Sequence, residues 1–473
     1  MNKYYIHCAI PYVNDRAHIG HALEFIETDV IGRYHRLIGD DVLQLTGADE
    51  NSLKNVQAAE AAGEDVQIFV DKNAELFKEL LVKLNAQFDV FQKGSDQEKH
   101  YPASQKLWDL CDKAGDIYKK SYKGLYCVGC EVFYTAEELN DKGECLEHPG
   151  KKLVEVEEEN YFFRLSKYQE KILELIHSNE YQIIPEKRKN EAVSFLKSGL
   201  QDISISRSNE RAKNWGVPVP GDSTQRMYVW FDALNIYQSG VGFGWDEEQY
   251  KKWWPADLEV IGKGIIRFHA VYWLAFLLSA GLPLPKSLFV HDYFTVDGQK
   301  MSKTVGNVYD PVPLLDKYGA DPVRYYCLAK ISPFEDGDFS EEKFKEAYNA
   351  DLANNVGNLV SRVAKLCEQN GVEVAVYSNE ELDSEVRSFL DKYDFVNALQ
   401  VIQSWVGAAN KVINDKKPWE LPREEAQPLL SELSYTIQKV GFNLKPFLPE
   451  TSEKILKQFT GKIKTADPLF PRI

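Results

Sequence analysis

The arrangement of apolar and polar positions is clearest at the start of the chain. Residues 4–10, YYIHCAI, are rich in aromatic and β-branched side chains and predict a buried strand. The turn-forming stretch PYVND follows, and beyond Gly20 apolar side chains recur at helical spacing, at positions 23, 26, 30, 31, 34 and 37. The pattern therefore predicts a strand, a short loop and a helix that begins within the string AHIGH.

Two imidazoles and a glycine stand at this predicted helix start. The first turn of a helix has free N–H groups and carries the positive end of the helix dipole, so it attracts anions. His18 and His21 add hydrogen-bond donors for a phosphate, and Gly20 lets a flat ring or a backbone approach closely. Taken alone, the string has a simpler explanation, in which His18 caps the helix and His21 lies on the surface.

A second polar string, FTVDGQKMSKTVGNVYDP, occupies residues 294–311. VDGQ predicts a tight turn, and two lysines and two hydroxyl side chains follow it: Lys300, Ser302, Lys303 and Thr304. Ammonium groups on a loop suit a polyphosphate, because they can follow the negative charge that builds on a leaving pyrophosphate. On its own this string is weak evidence, since short basic loops are common.

The two strings together are specific. HIGH after an N-terminal strand and KMSKT far downstream resemble the signature pair of class I aminoacyl-tRNA synthetases. The stretches AIPYVNDRAHIGH, MYVWFDALNIY, DISISR with WGVPVP, and VIGKGIIRFHAVYW resemble the methionyl-tRNA synthetase family over nearly the whole chain. A P-loop string is absent from the sequence, which argues against that kind of nucleotide site.

This resemblance implies an α/β fold with a Rossmann-like parallel-sheet catalytic domain and ATP between the two strings. It implies the following division: catalytic residues 1–115, a connective insert with a zinc knuckle at 116–226, the second catalytic part with the KMSKS-type loop at 227–345, and an α-helical anticodon-binding bundle at 346–473. The insert is too short to resemble the hydrolytic editing domain of the isoleucyl, valyl and leucyl enzymes.

The resemblance also implies the residues of the site. The ATP-binding set is His18, Gly20, His21, Glu24, Lys300, Ser302 and Lys303, of which the two histidines and two lysines are the catalytic set. The methionine-binding set is Ile10, Tyr12, Asp49, Arg207, Trp230, Ala233, Leu234, Tyr237, Ile265 and His269. A flexible thioether suits an aromatic, apolar pocket with one or two polar groups, although the aromatic pattern alone is more typical of core packing. Asp49 is expected to hold the substrate ammonium, and Arg207 is a basic residue of the site.

The implied reaction begins with attack of the methionine carboxylate on the α-phosphate of ATP. The carboxylate is ionised at neutral pH, so no general base is needed, and catalysis is expected to consist of positioning and charge stabilisation. The histidines are expected to touch phosphates and the lysines the leaving pyrophosphate, with Mg²⁺ assisting. The methionyl group then passes to the terminal adenosine of tRNA.

A metal site is predicted by spacing within residues 116–226. Cys127-x₂-Cys130 and Cys145-x₂-His148 have the spacing of a tetrahedral Zn²⁺ site, with free thiols as the alternative. Four protein ligands fill the coordination sphere, so the site is expected to be structural. The other cysteines, Cys8, Cys111, Cys327 and Cys367, are expected in the core.

From about residue 346 the pattern is helical to the end, with Gly371 as a helix stop. By resemblance, Asn358, Arg362 and Trp419 match the positions that read the CAU anticodon, and Arg and Trp suit unstacked bases. Without the family, the first two read better as an exposed helix edge and Trp419 as a core anchor. The chain has no length for a C-terminal dimerisation module, so a monomer is expected.

Composition narrows the class of protein without changing these assignments. The 473 residues carry a net charge of −16, which argues against nonspecific nucleic-acid binding by the whole surface, although residues 187–213 carry seven Lys/Arg against three Asp/Glu. Seven cysteines, no run of 18 apolar residues and no signal peptide predict a reducing, cytoplasmic environment.

Two stretches depart from the family's pattern. The chain has GADENS where the family often has GTDEHG, which replaces a histidine by Asn51, and GKG where the family often has GKD, which removes a carboxylate at Gly264. Two alternatives therefore stay open: a class I synthetase for another amino acid, and a catalytically silent tRNA-binding paralogue. Both lysines of KMSKT and the whole of HIGH are intact, which argues against the second.

Overall fold

The computed structural model describes residues 2–127, 132–134, 139–145, 150, 153–301, 306–379 and 381–473. The strands are β1 Lys3–Cys8, β2 Asp41–Ala48, β3 Val90–Lys93, β4 Ile117–Cys127, β5 Val132–Tyr134, β6 Val154–Phe163, β7 Gln182–Ile184, β8 Ile203–Ser204, β9 Ser206–Ser208, β10 Pro218–Val219, β11 Asp222–Met227, β12 Leu258–Gly262, β13 Ser287–His291, β14 Phe294–Val296, β15 Gln299–Lys300, β16 Gly337–Phe339, β17 Glu373–Val374 and β18 Gly461–Lys462.

The α-helices are α1 Ile19–Leu37, α2 Leu53–Ala62, α3 Val66–Lys83, α4 His100–Lys113, α5 Gln169–Ser178, α6 Glu186–Lys197, α7 Asn209–Ala212, α8 Val229–Ala233, α9 Ile236–Ser239, α10 Glu247–Trp253, α11 Leu274–Ala280, α12 Val312–Tyr318, α13 Ala320–Ala329, α14 Glu341–Ala347, α15 Asn358–Asn370, α16 Ser384–Leu390, α17 Phe395–Lys416, α18 Arg423–Asn443 and α19 Pro449–Gln458. Short 3₁₀ turns occur at Leu165–Tyr168 and Lys263–Ile265, and π-helical turns at Phe268–Trp273 and Tyr348–Gly357. Among the described helices, none is both long enough and apolar enough to cross a membrane.

The centre of the molecule is a six-stranded parallel sheet in the order β3-β2-β1-β12-β13-β7. Both faces of such a sheet are covered, which explains the apolar runs in β1, β12 and β13. The chain builds outward from β1 to one side through β2 and β3, and to the other through β12 and β13. Ligands of open α/β sheets bind outside the carboxyl ends of the strands, at the point where the order reverses. That point lies between β1 and β12, and the expected Rossmann-like α/β fold is confirmed.

Helix α1 lies against this sheet and ends over the C-terminal helices. Its apolar positions 23, 26, 30, 31 and 34 are all buried, as the periodicity predicts. The fully buried Arg324 pairs with Asp29 of α1 at 2.7 Å and donates to the carbonyls of Leu84, Pro446 and Phe447. One guanidinium thus connects the middle of α1, the end of α3, helix α13 and the C-terminal region.

Residues 116–226, assigned to the insert from the sequence, contain two kinds of structure. The long strands β4 and β6 pair antiparallel and form a four-stranded sheet with β5 and β8. Strand β7 instead pairs with β13 and forms the edge of the central parallel sheet. A three-residue strand carries too little periodicity to reveal this pairing, which only its tertiary position defines.

The C-terminal region is helical, as expected, apart from the short antiparallel pair β17–β18. Helix α15 ends at Gly371, whose φ of 63° is the left-handed conformation that favours glycine. The buried side chains of α1 and of the C-terminal helices belong to one continuous hydrophobic cluster. The four cysteines expected in the core, Cys8, Cys111, Cys327 and Cys367, are all buried.

Candidate active site

The two histidines cap the start of α1. His18 is the N-cap residue, and its Nδ1 accepts a hydrogen bond from the Gly20 N–H at 3.2 Å. The His21 Nδ1 accepts from the His18 N–H at 3.1 Å, and the two rings are stacked with their centroids 3.8 Å apart. These contacts form a reciprocal capping box with imidazoles in place of the usual hydroxyl and carboxylate.

This capping assigns the tautomer of both rings. Because each Nδ1 accepts from a backbone N–H, the proton of the neutral ring belongs on Nε2, which is a donor. His18 and His21 both line the large cavity beside α1. The simple explanation of His18 as a helix cap is therefore correct, and the same contacts make Nε2 the donor nitrogen of each neutral ring.

Gly20 makes room for this capping box. A Cβ atom there would lie 3.0 Å from Nδ1 and Cε1 of His18 and 3.4 Å from the Met301 methyl group. From the sequence, this glycine is expected to make room for a ligand ring or a backbone. In the structure, the atoms nearest to the position of the missing Cβ belong to the ring of His18.

The KMSKT string approaches the same cavity. Strands β14 and β15 form the predicted hairpin, with Asp297 and Gly298 at φ of 52° and 73° in its turn. Met301 lines the cavity, and the Ile19 N–H at the start of α1 donates to the Tyr309 carbonyl at 2.9 Å. Lys300 is placed at the end of β15, whereas Ser302, Lys303 and Thr304 lie outside the described residues.

A cavity of about 360 Å³ lies at the carboxyl ends of β1, β12 and β13. Its described lining includes four residues of the expected ATP set and nine of the expected methionine set: His18, Gly20, His21 and Glu24, with Ile10, Tyr12, Asp49, Trp230, Ala233, Leu234, Tyr237, Ile265 and His269. These residues come from four separate parts of the sequence, and a single cavity brings them together.

Tyr237 and His269 are the buried polar pair of this cavity. The Tyr237 hydroxyl lies 2.9 Å from the His269 Nε2, while the His269 Nδ1 lies 3.1 Å from the Ile265 carbonyl. The carbonyl can only accept, so Nδ1 carries the proton and Nε2 accepts from the tyrosine. Burial lowers the pKa of His269 to about 4, against the opposing influence of the Glu259 carboxylate and this carbonyl. The ring is therefore neutral at physiological pH.

Behind this pair lies a polar group that the sequence analysis missed. The His7 ring stacks on Tyr237 with centroids 3.7 Å apart, and His7 lies 3.3 Å from Glu259, which accepts from Tyr181 at 2.7 Å. Burial raises the pKa of Glu259 to about 7 and lowers that of His7 to about 3. The available signal was a histidine and a glutamate at interior positions of otherwise apolar strands.

The cavity is also lined by four consecutive residues without a sequence assignment: His291, Asp292, Tyr293 and Phe294. His291 ends β13, and its Nε2 lies 3.0 Å from the Glu24 carboxylate. Burial disfavours the charged ring, but the carboxylates of Glu27 and Glu24 outweigh it and raise the pKa of His291 to about 9. A histidine at the end of a buried parallel strand was the signal for this position.

Arg207 does not line this cavity. It borders a small separate depression with Asn51 and Tyr228, and its guanidinium donates to the Ser206 carbonyl at 2.7 Å. The guanidinium also lies 4.6 Å from the centre of the Tyr228 ring, directly before helix α8. Arg207 therefore packs against the residue that precedes the helix carrying Trp230. The sequence alone cannot distinguish this supporting position from a position in the cavity wall.

Asn51, which stands where the family often has a histidine, makes two buried hydrogen bonds. Asn51 is buried and donates to the Asp232 carboxylate at 2.6 Å and to the Gly94 carbonyl at 2.7 Å. An amide thus supplies a donor to a carboxylate on the helix that carries Trp230. Asp49, two residues earlier, is 4% exposed and lines the cavity.

Two of the four expected zinc ligands are described. Cys127 and Cys145 are buried, and their Sγ atoms lie 3.5 Å apart, close to the roughly 3.8 Å separation that two thiolates have on one tetrahedral zinc. Cys130 and His148 lie outside the described residues. Among the residues that are described, no group of three or more potential metal ligands occurs.

The three residues expected at the anticodon form a surface of the helical region. Asn358 and Arg362 lie one turn apart on α15, and Arg362 donates to Asn414 of α17 at 2.8 Å. Its guanidinium lies 5.3 Å from the centre of the Trp419 ring, which is 50% exposed. Trp419 is therefore not a core anchor.

The comparisons with known proteins agree with this geometry. Residues 4–364 match the family model described as tRNA synthetases class I (M), the class that the parallel sheet and the cavity define. A methionine–tRNA ligase of Thermotoga maritima is 42% identical over 481 residues, covering 98% of this chain and 76% of that protein. One from Mycobacterium tuberculosis is 40% identical over 479 residues, covering 96% and 92%.

Solved structures are similar over the full length. M. tuberculosis methionyl-tRNA synthetase in complex with methionyl-adenylate has a TM-score of 0.91 at 38% identity, covering 100% of both chains. Its free form has a TM-score of 0.81 at 35% identity, covering 100% of this chain and 98% of that one. The chain therefore belongs to the methionine–tRNA ligases, the class I aminoacyl-tRNA synthetases for methionine.

Proposed function

We propose that this chain activates L-methionine with ATP, releases pyrophosphate, and transfers the methionyl group to the 3′ end of tRNA(Met). The observation that carries the proposal is the single cavity lined both by the capped histidines of α1 and by the Tyr237–His269 pair. Its volume of about 360 Å³ is within the range of small-molecule sites. Methionine carboxylate attack on the α-phosphorus breaks the bond to pyrophosphate and forms the mixed anhydride.

The nucleotide half of the cavity lies at the start of α1. The Nε2–H groups of His18 and His21 are the proposed donors to phosphate oxygens, and Glu24 lies beside them on the same helix. Lys300, Ser302 and Lys303 are proposed to bind the leaving pyrophosphate. Mg²⁺ is proposed to accompany ATP as its counter-ion. Donors already fixed by the capping box require no rearrangement when charge develops in the transition state.

The methionine half is the apolar side of the cavity. Asp49 is the proposed partner of the substrate ammonium, and the side chain lies among Ile10, Trp230, Ala233, Leu234 and Ile265. The Tyr237 hydroxyl donates to His269, so the pair presents no charge to the thioether. A buried neutral pair disfavours a charged substrate side chain, because such a charge would be desolvated without a partner.

We further propose a structural Zn²⁺ held by Cys127, Cys130, Cys145 and His148. The short Sγ–Sγ distance between the two described cysteines supports this, since it is close to the separation of two thiolates on one tetrahedral zinc. A bound zinc would supply folding energy to the tip of the β4–β6 sheet and takes no part in the reaction. Metal content tests it: we expect one zinc per chain, lost in Cys145→Ser and kept in the buried control Cys111→Ser.

Asn358, Arg362 and Trp419 are the proposed contacts of the CAU anticodon. The half-exposed indole beside a guanidinium can stack on an unstacked base. The functional division proposed from the sequence, at residues 1–115, 116–226, 227–345 and 346–473, is retained with β7 as a structural addition to the central sheet. We also propose that the protein is cytoplasmic and acts as a monomer; its odd number of cysteines, seven, suits a reducing compartment better than a disulfide framework.

Pyrophosphate exchange across the twenty amino acids tests the function. We expect exchange with methionine alone, followed by charging of tRNA(Met). Exchange driven by another amino acid would assign the chain to a different specificity. A purified, folded chain without exchange would instead favour the silent tRNA-binding paralogue.

A further inference from the structure

The second departure from the family's pattern, Gly264, lies against the hydroxyl group of Tyr293. The Gly264 N–H donates to the Tyr293 Oη at 2.6 Å. A Cβ atom at 264 would lie 2.1 Å from that oxygen, a separation that no side chain tolerates, and 3.3 Å from the ring carbon Cζ. The tyrosine hydroxyl therefore occupies the space that a side chain at 264 requires.

The same ring closes one wall of the active-site cavity. Tyr293 lines that cavity and also a neighbouring one of about 400 Å³, and Gly262 would meet the Tyr293 Cε1 at 2.9 Å if it had a Cβ atom. The turn 262–265 contributes Gly262 and Ile265 to the cavity. Tyr293 is thus packed along the turn that follows β12, on the wall that also carries His291.

The backbone of Tyr293 is held independently of its hydroxyl. Its N–H donates to the Asp336 carboxylate at 3.0 Å, and its carbonyl accepts from the Gly337 N–H at 3.0 Å. Lys263 pairs with both Asp292 and Asp336, at 3.1 and 2.5 Å. Removal of the hydroxyl therefore leaves these backbone contacts in place and takes away the hydrogen bond from the Gly264 N–H.

We propose that Tyr293 is a positioning residue for the nucleotide half of the cavity, and that in this chain its hydroxyl takes the place of the side chain that the family often carries at 264. The hydroxyl ties the turn 262–265 to the wall formed by His291 and Asp292. Glycine at 264 and tyrosine at 293 are then a matched pair, and either change alone disturbs ATP more than methionine. This inference rests on the proposed function.

A double-mutant cycle tests the pairing through pyrophosphate exchange. Gly264 does not have a positive φ, so alanine at this position causes no backbone strain. The effect of Gly264→Ala therefore measures the steric contact with the Tyr293 hydroxyl. We expect this substitution to lower kcat/KM for ATP by at least about 30-fold, because the tyrosine ring that lines the cavity must shift. Tyr293→Phe loses one hydrogen bond and is expected to cost about 2- to 13-fold. The double variant is expected to match Tyr293→Phe, since the 3.3 Å contact with Cζ needs only a small shift.

Two variants elsewhere in the chain control for the chemistry of the substitutions. Gly407→Ala adds a methyl group in open space on α17, and Tyr435→Phe removes a hydroxyl from a 53% exposed side chain. Neither is expected to change exchange, and thermal melts show whether each cavity variant is folded. The KM for methionine is expected to change less than threefold throughout.

Additive effects of the two cavity substitutions, or equal increases in both KM values, would overturn the inference. If the variants give such a result while the wild-type enzyme is active, the proposed function is unaffected. A wild-type chain without methionine-dependent exchange contradicts the proposed function instead, so the two failures are distinguishable.

Discussion

The cavity beside α1 and the Arg362–Trp419 surface are constructed differently. In the cavity, each imidazole has one ring nitrogen committed to a fixed partner, such as the Gly20 N–H or the Ile265 carbonyl. On the helical surface, Trp419 is half exposed and contacts Arg362 face-on. The enclosed site thus has its tautomers and positions set before a ligand arrives, whereas the surface presents a ring and a charge to solvent.

The difference follows from the cost of burial. A buried polar atom without a partner loses its hydration, so a cavity for small molecules must satisfy its own groups or reserve them for the ligand. An exposed indole has no such requirement and can be selected for stacking alone. We therefore expect substitutions in the cavity to affect activation strongly and substitutions on the surface to affect only tRNA.

The largest effect is expected from His21. His21→Asn retains an acceptor near the position of Nδ1 for the His18 N–H but removes the Nε2 donor, so we expect exchange to fall by at least about 10²-fold with an unchanged melting temperature. His21→Gln, whose amide reaches nearer to Nε2, is expected to retain more activity. His177→Ala, on an exposed part of α5, is the control. Exchange within about tenfold of wild type for His21→Asn would contradict the donor role.

A smaller effect is expected from Tyr237→Phe. This change leaves the His269 Nε2 buried without its donor, which costs about 1–3 kcal/mol, or roughly 5- to 150-fold in KM for methionine. The KM for ATP is expected to stay nearly constant. Tyr181→Phe removes an equally buried hydroxyl outside the cavity and is expected to reduce stability alone. If both variants raised the methionine KM equally, the contact with His269 would not be the determinant.

Trp419→Ala tests the surface. Loss of one stacking ring is expected to cost about 1–2 kcal/mol, or roughly 5- to 30-fold in kcat/KM for tRNA(Met), while exchange is unaffected. Because the side chain is half exposed, the melting temperature is expected to change little. Tyr435→Ala, equally exposed on α18, serves as the control. A large drop in melting temperature with an unchanged preference for CAU would remove support for the anticodon assignment.

The smallest expected effect is a pH dependence of stability from His291. Its folded-state pKa of about 9 lies above the unfolded value, so the folded protein binds more protons between pH 6.5 and 9. The stabilisation by His291 is fully present below pH 6.5 and is lost as the pH rises to about 9. We expect the difference in melting temperature between wild type and His291→Gln to shrink across this window. A difference that grows with pH would refute the assignment, and His177→Gln provides the baseline.

Much of the candidate active site could be predicted, because the local spacing of residues specifies the elements that form it. The strand, loop and helix around HIGH follow from periodicity, and the resemblance supplied thirteen residues that the cavity brings together. Arg207 shows the limit of such transfer, because it supports Tyr228 and does not line the cavity. His7, His291 and Tyr293 were missed because a single polar residue within or beside an apolar strand has no periodicity to mark it.

By itself, the sequence determined where α1 begins, which face of it is buried, and which two polar strings are the candidates for binding phosphate. These features depend on neighbours within a few turns of the same element. Only the tertiary structure decided that the Nδ1 atoms of His18 and His21 accept backbone N–H groups, and that Gly264 lies against the Tyr293 hydroxyl. Those results depend on hydrogen-bond directions and on contacts below 3.5 Å. For Gly264 and Tyr293, the contact joins residues far apart in the chain, which no local pattern specifies.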